Sequence, residues 1–324
     1  MKDSMDHDLT IYLSEQDVSG FITMKMALDS VRLAFELISK GSASNSLPMQ
    51  MNFTQGWFSS STCSIPGLEL MGLTSNSNRS NTFVHVSSSV SGNLLAIIEG
   101  HQLEEYVIGA SIGTATNAMA NPQSSSIGII GCDTGALRQA EAISTIRNIE
   151  AITTYDNDLK ASKIFAAKLG RCLKVSTSSV NDIEECVRMS DIVIITNYLQ
   201  PVVQGEWLRP GTHVNTVANK HSLNRTIDSK TVSRASIIAV QDIEQAKCGS
   251  GNLIYPIEEG ITNWQKVSRI SDIVLERRKG RSSLSDITIF ESISLAVQET
   301  ILGLRLYNMA VKNGVGIPVV FSPN

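Results

Sequence analysis

The chain has 324 residues, 42% of them hydrophobic, enough to bury a large core and long enough for about two domains of ordinary size. A net charge of −4, with no Lys/Arg run interleaved with aromatic residues, argues against nucleic-acid or membrane-surface partners, and no apolar run approaches the roughly 18 residues needed to cross a bilayer. Five scattered cysteines without a C-x-x-C pair argue against a disulfide framework and a zinc site, so a cytoplasmic protein with a small-molecule ligand and no metal is expected.

From the start, Leu13-Ser14-Glu15-Gln16-Asp17-Val18 reads as a strand running into a capped turn. Thr23 then caps a helix whose Leu28, Val31, Phe35 and Ile38 recur at helical spacing until Gly41 ends it. Residues 42–80 are rich in Ser, Asn and Met with few clean periodicities, and predict irregular strands and loops. Residues 82–86 alternate, Ser91-Gly92-Asn93 turns, and 94–98 answers, which predicts a β-hairpin. His85 lies on that hairpin without a second ligand at metal spacing and reads as a packed or surface residue. Residues 103–119 are small and apolar, a predicted helix with close packing through Gly109 and Gly113. Pro122 and the serines at 124–126 mark a boundary.

Beyond it the pattern becomes β/α alternation, with strands predicted at 127–130, 151–155, 192–196, 213–217 and 237–240 and a helix at 159–169. Near-continuous apolar strands between helices imply a parallel sheet covered on both faces. The first of them opens SIGIIGCDTGALRQA, residues 126–140, a strand, a turn with two glycines and a helix with apolar Leu137, Ala140, Ile143 and Ile146. In the dinucleotide fingerprint G-x-G-x-x-G/A the first glycine makes the turn, the second admits the pyrophosphate, and the third residue packs helix on strand. Gly131 and Ala136 fit the first and third roles. Asp133 stands in the second, where it caps the helix and competes with a phosphate for the same amides. The turn residues Gly131, Cys132, Asp133, Thr134, Gly135 and Ala136 are therefore the candidate cofactor site, Cys132 through its backbone. The next strand ends Tyr155-Asp156-Asn157-Asp158, and an acid there takes both ribose hydroxyls of an adenosine and repels the extra phosphate of NADP. The alternative is a strand-end turn, where Asp and Asn are common.

The C-terminal third, with Trp207-Leu208-Arg209-Pro210-Gly211-Thr212-His213-Val214-Asn215, Gly280-Arg281-Ser282-Ser283 and Asp286-Ile287-Thr288-Ile289-Phe290-Glu291-Ser292, resembles the ornithine cyclodeaminase and mu-crystallin family. SEQDV, GNLLAIIEG, IGIIG, SDIVIIT, Asp242 to Ala246 and VGIP extend the resemblance over nearly the whole chain. It implies an α/β fold, a Rossmann-type doubly wound sheet (121–290) inserted into an α+β substrate and dimerisation domain made from both termini (1–120 and 291–324). It also implies a homodimer, a nicotinamide cofactor, Thr196, Val217 and Ser292 along the cofactor cleft, and hydride transfer at a carbon bearing nitrogen; the acid at Asp156 makes that cofactor NAD, with NADH preferred over NADPH.

The family's substrate ligands are not carried over. Its carboxylate-binding Lys, in a G-x-K strand motif, aligns with Glu69 in Gly67-Leu68-Glu69, and its carboxylate-binding Arg with Val107. The cyclodeaminase's catalytic Asp aligns with Lys220. Loss of a bidentate Arg removes much of a carboxylate's charge-assisted binding. Glu69 and Lys220 are the catalytic candidates, an acid and a base able to pair across the pocket, with Lys220 a proton donor or acceptor tuned by that neighbour. The alternative for Lys220, and for His221 beside it, is a solvated loop. Three functions remain open: an NAD-linked oxidoreductase acting on an imine or amine substrate, small or carrier-bound, that is not ornithine; a catalytically inactive binding protein, to which Asp133 and the lost carboxylate ligands point; and a dimeric scaffold for partner enzymes, of which the sequence gives no positive sign.

Overall fold

The structure, a computed structural model, describes residues 9–78, 81–196, 198, 200–218 and 224–321. The chain forms two compact units, Met1–Val107 with Ser294–Asn324, and Ile108–Ile293. The first division falls inside the helix His101–Met119, ahead of the expected loop, because that helix continues unbroken to Met119.

In the first unit Ser14 forms a capping box with Asp17, and Thr23 accepts from the Met26 amide at 3.2 Å to open the helix Met24–Ser39. Its strands are β1 Ile11–Leu13, β2 Ser44–Asn45, β3 Met49–Phe53, β4 Gly56–Ile65, β5 Leu70–Ser77, β6 Phe83–Ser88 and β7 Leu94–Glu99. The sheet runs Ile317–Pro318, β1, β7, β6, β5, β4, β2, with β3 also on β4; β1 is parallel to β7 and the other pairs are antiparallel. Residues 42–80, expected to be irregular, thus supply regular strands, and β4 pairs with β5 without a break from Phe58↔Ser77 to Ile65↔Leu70. The pattern was hidden because Ser, Thr and Asn fill many strand positions that β-branched or aromatic residues usually mark.

One face of this sheet packs on the helix Ala296–Asn313. Val84, Val86, Leu95 and Ile98 of the sheet and Ile301, Leu302 and Leu306 of the helix are buried, each such side chain stabilising the fold by about 2 kcal/mol. Gly72 permits the approach, since a Cβ there would lie 1.9 Å from Thr300 Oγ1. The opposite face, by strand alternation, carries Phe58, Thr62, Met71, Leu73 and His85.

The second unit holds a wholly parallel sheet of β8 Ser126–Ile130, β9 Ala151–Tyr155, β10 Ser176–Ser179, β11 Ile192–Ile195, β12 His213–Val217, β13 Ala235–Val240, β14 Val267–Arg269 and β15 Ile287–Ser292. Its order is β10-β9-β8-β11-β12-β15-β13-β14, a doubly wound sheet whose direction of succession reverses at β8. Ile127, Ile129, Ile152, Val193, Val214 and Ile289 make its buried centre. The predicted close packing is present: a Cβ on Gly109 would reach the Arg138 carbonyl oxygen at 2.7 Å, and one on Gly113 the Ala142 Cβ at 2.8 Å. Among the described residues no helix is long and apolar enough to cross a membrane.

Candidate functional site

The crevice beyond the carboxyl ends of β8 and β11 is where an open α/β sheet holds its ligand, and the fingerprint turn lies there. Gly131 leaves β8 with φ +99, and a Cβ on it would fall 2.4 Å from the Thr196 carbonyl oxygen and 2.6 Å from Thr196 Oγ1. Glycine is therefore demanded twice, by the dihedral and by space. Thr196 closes the contact from β11: its amide donates to the Ile130 carbonyl at 2.9 Å and its hydroxyl to the Gly131 carbonyl at 3.1 Å.

The helix Thr134–Ile146 begins at the next step. Asp133 is its N-cap, and Oδ1 accepts from the Ala136 amide at 2.6 Å. Gly135 makes room for that carboxylate, since a Cβ there would meet Asp133 Oδ1 at 3.3 Å. Ala136 is fully buried and Thr134 is exposed. A bound pyrophosphate would use the amides of this helix end, and one of them is already held by the chain's own anion.

Asp156 ties the turn to the second strand. Its Oδ2 accepts from the Cys132 amide at 3.0 Å and its Oδ1 from the Asp158 amide at 3.0 Å. A carboxylate has about four lone-pair sites, so it retains acceptor capacity for ribose hydroxyls. Asp158 does different work: it caps the helix Leu159–Leu173, with Oδ1 accepting from the Lys160 and Ala161 amides at 2.8 and 3.3 Å. Burial pushes the Cys132 thiol up to about 12, with Asp156 and Asp133 adding to the rise, so it is no nucleophile at neutral pH. Tyr198, a residue without a sequence signal for the site, is likewise pushed up to about 12 by burial and then by Asp156.

Along the same edge, Val217 at the end of β12 pairs with Ser292 at the end of β15, and the Ala218 amide donates to the Ser292 carbonyl at 2.9 Å. The Ser292 hydroxyl is buried and donates to Gln241 Oε1 at 3.1 Å, and the Ile293 amide donates to the same oxygen at 2.5 Å. Ser292 therefore presents backbone, with its side chain committed inward. Deeper in the unit His213 is fully buried and held to about 3, by burial first and by Arg281 second. Its ring nitrogens meet Thr288 Oγ1 at 2.8 Å and Asn215 Oδ1 at 3.2 Å, and the Asn215 amide donates to Thr116 Oγ1 at 3.0 Å. The His-x-Asn spacing in the sequence marks this network, which is packing rather than chemistry.

The substrate-side candidates fare differently. Glu69 is exposed, in a left-handed turn with φ 56 between the short helix Pro66–Leu68 and β5. It is not on a strand, which corrects its alignment with the strand-borne lysine. The G-x-x that lies on β5 is Gly72-Leu73-Thr74, and Thr74 is 8% exposed on the helix-covered face. Val107 is fully buried within the helix His101–Met119. Neither position carries a cation. Lys220 and His221 lie outside the described residues. A cavity of about 500 Å³ on the open face of the same sheet is lined by Thr62, Ser64, Leu73, His85 and Ser87 among others, with no lysine or arginine. Burial lowers the His85 pKa, which keeps the imidazole neutral.

The profile of the Ornithine cyclodeaminase/mu-crystallin family matches residues 10–314. A Delta(1)-pyrroline-2-carboxylate reductase of Bacillus cereus is 31% identical over 242 residues, covering 74% of each chain. Among solved structures, the Thermococcus litoralis Delta(1)-pyrroline-2-carboxylate reductase in complex with NADH and L-proline superposes with a TM-score of 0.90 at 29% identity, covering 95% of this chain and 100% of that one. An archaeal alanine dehydrogenase dimer with bound NAD gives a TM-score of 0.90 at 28% identity, over 97% and 99% of the two chains.

Proposed function

This chain belongs to the ornithine cyclodeaminase/mu-crystallin family, and from that membership we propose an NADH-preferring oxidoreductase that acts at the carbon–nitrogen bond of a small imine or amine lacking a free α-carboxylate. The observation that carries it is Asp156, which holds the fingerprint turn through the Cys132 amide and keeps lone pairs for an adenosine ribose. With Gly131 and Thr196 it preserves a cradle that fits the adenosine half of a dinucleotide. A bound nicotinamide would supply the hydride; the chain supplies position and electrostatics. Thr74 and Val107, where the family pattern has its cations, are the reason to set ornithine and other free amino acids aside.

A homodimer belongs to the same proposal. On the other sheet Met49, Met51, Phe53, Phe58 and Met71 are between 37% and 62% exposed, an apolar surface of the kind that marks an interface, and the archaeal alanine dehydrogenase is a dimer. A second copy is the occupant proposed, and sedimentation as a monomer would remove it.

Asp133 favours a second function, a binding protein without turnover, because its carboxylate holds the Ala136 amide at 2.6 Å. Calorimetry with NADH and NADPH separates the two. Binding of NADH that Asp156→Ala weakens supports the oxidoreductase. No heat with either coenzyme at millimolar concentration ends it.

A further inference from the structure

Glu291 is a buried acid that the proposed chemistry does not use. It lies on β15, 1% exposed, between Thr216 of β12 and Val240 of β13 in the sheet register. Its side chain alternates with that of Ser292 and turns toward the segment joining two helices. There the Asn252 amide donates to Oε1 at 2.8 Å, and the Ser250 hydroxyl makes a very short contact with Oε2. Among the described residues no lysine, arginine or histidine pairs with it.

Asn252 carries the connection outward. Its Oδ1 accepts from the Thr226 amide at 2.7 Å and from the Ile227 amide at 3.3 Å. The chain leaves β12 at Ala218, whose amide donates to the Ser292 carbonyl. Ala218 on one side and Thr226 with Ile227 on the other therefore converge on the dipeptide Glu291-Ser292, the first through the backbone of Ser292 and the second through Asn252 and the side chain of Glu291.

We propose that Glu291 is a positioning residue that clamps Asn252 and Ser250, so that Asn252 holds the chain at Thr226 and Ile227, where Ile227 bridges Val203. Two facts favour the neutral form of its carboxyl. An isolated carboxylate in a fully buried site is far costlier than a carboxylic acid, and desolvation pushes this group up from its ordinary value. No lysine, arginine or histidine among the described residues lies beside it to offset a negative charge. The clamp itself stands on the hydrogen-bond geometry alone; its bearing on coenzyme binding rests on the function proposed above.

The test is hydrogen exchange on the full chain, comparing wild type, Glu291→Leu, Glu291→Gln and Asn252→Ala. Glu291→Gln keeps an acceptor and a donor in place and should protect the Thr226 and Ile227 amides as the wild type does. Glu291→Leu should speed their exchange about tenfold while the β8 amides stay protected. Asn252→Ala breaks the same link from the other side, should loosen the same amides, and serves if Glu291→Leu does not fold. Unchanged protection at Thr226 and Ile227 in Asn252→Ala, or Glu291→Gln exchanging as fast as Glu291→Leu, overturns the clamp. NADH titration of the same samples keeps the two proposals apart. A wild type that does not bind NADH ends the coenzyme assignment and leaves the clamp standing. Loosened amides with unaltered NADH affinity overturn the bearing of the clamp on coenzyme binding.

Discussion

The fingerprint turn of the parallel sheet and the helix-covered face of the mixed sheet differ in what they present to a ligand. At the turn the main chain is held from several sides: Gly131 at φ +99, Thr196 closing behind it, Asp156 on the Cys132 amide. On the other sheet Thr74 is buried on the helix-covered face, Val107 is buried in the helix His101–Met119, and neither side chain is a cation. The difference reflects what each region is made of. Nucleotide recognition at a strand-turn-helix relies on main-chain amides and on the absence of a Cβ, so most changes there also disturb the fold. Carboxylate recognition relies on side-chain tips, which can be exchanged while the strands beneath them stay put.

The comparison breaks most visibly if the turn is disturbed. Gly131→Val places a β-branched side chain at a positive φ with its Cβ overlapping the Thr196 carbonyl. It should lower stability by about 3 kcal/mol or more, read by urea unfolding. A loss under 1 kcal/mol would mean the turn relaxes easily and is not the rigid element described. Asp156→Ala should be next: NADH affinity about tenfold weaker, with selectivity against NADPH reduced, since the acid faces the ribose and its removal also frees the Cys132 and Asp158 amides. Asp133→Gly should move affinity the other way. Freeing the Ala136 amide should tighten NADH about threefold, while exchanging the cap for glycine costs only about 0.3 kcal/mol of stability. Unchanged affinity there would show that the carboxylate moves aside without penalty.

Much of this was legible in the sequence because its causes are local. The capping at Ser14 and Thr23, the hairpin at 82–98 and the fingerprint turn each follow from a few neighbouring residues. What escaped depends on partners distant in sequence. Strand β4 reads as a serine-rich loop until β5 pairs with it and the helix Ala296–Asn313 covers one face. Glu69 was matched through the G-x-K pattern at Gly67-Leu68-Glu69, and only its turn at φ 56, directly before β5 begins at Leu70, takes it off the strand. Asp158 looked like a second ribose acid, yet its carboxylate is engaged by the helix it caps. Glu291 gave no signal, since nothing in its neighbourhood of sequence announces Ser250 and Asn252.

The smallest effect tests whether both regions are as closed as their packing implies, using the thiol each contains. Cys132 is pushed up to about 12 by burial, and Cys63, facing Thr300 Oγ1 at 3.2 Å, is raised to about 11 by the same cause. At pH 8 a thiol of pKa 12 is ionised to about one part in ten thousand, and thiolate is the reactive form. Cys172 and Cys248 are exposed. Iodoacetamide at pH 8, followed by peptide mass mapping, should therefore label Cys172 and Cys248 and spare Cys63 and Cys132. Because both folded thiols titrate far above the assay, raising the pH from 8 to 9 should leave that pattern unchanged. Labelling of Cys132 as fast as Cys172 would mean the turn opens to solvent, and the contrast between a rigid turn and the cation-free, helix-covered face would lose its first half. Labelling of Cys63 alone would locate the looseness at the helix-covered sheet and leave the turn as described.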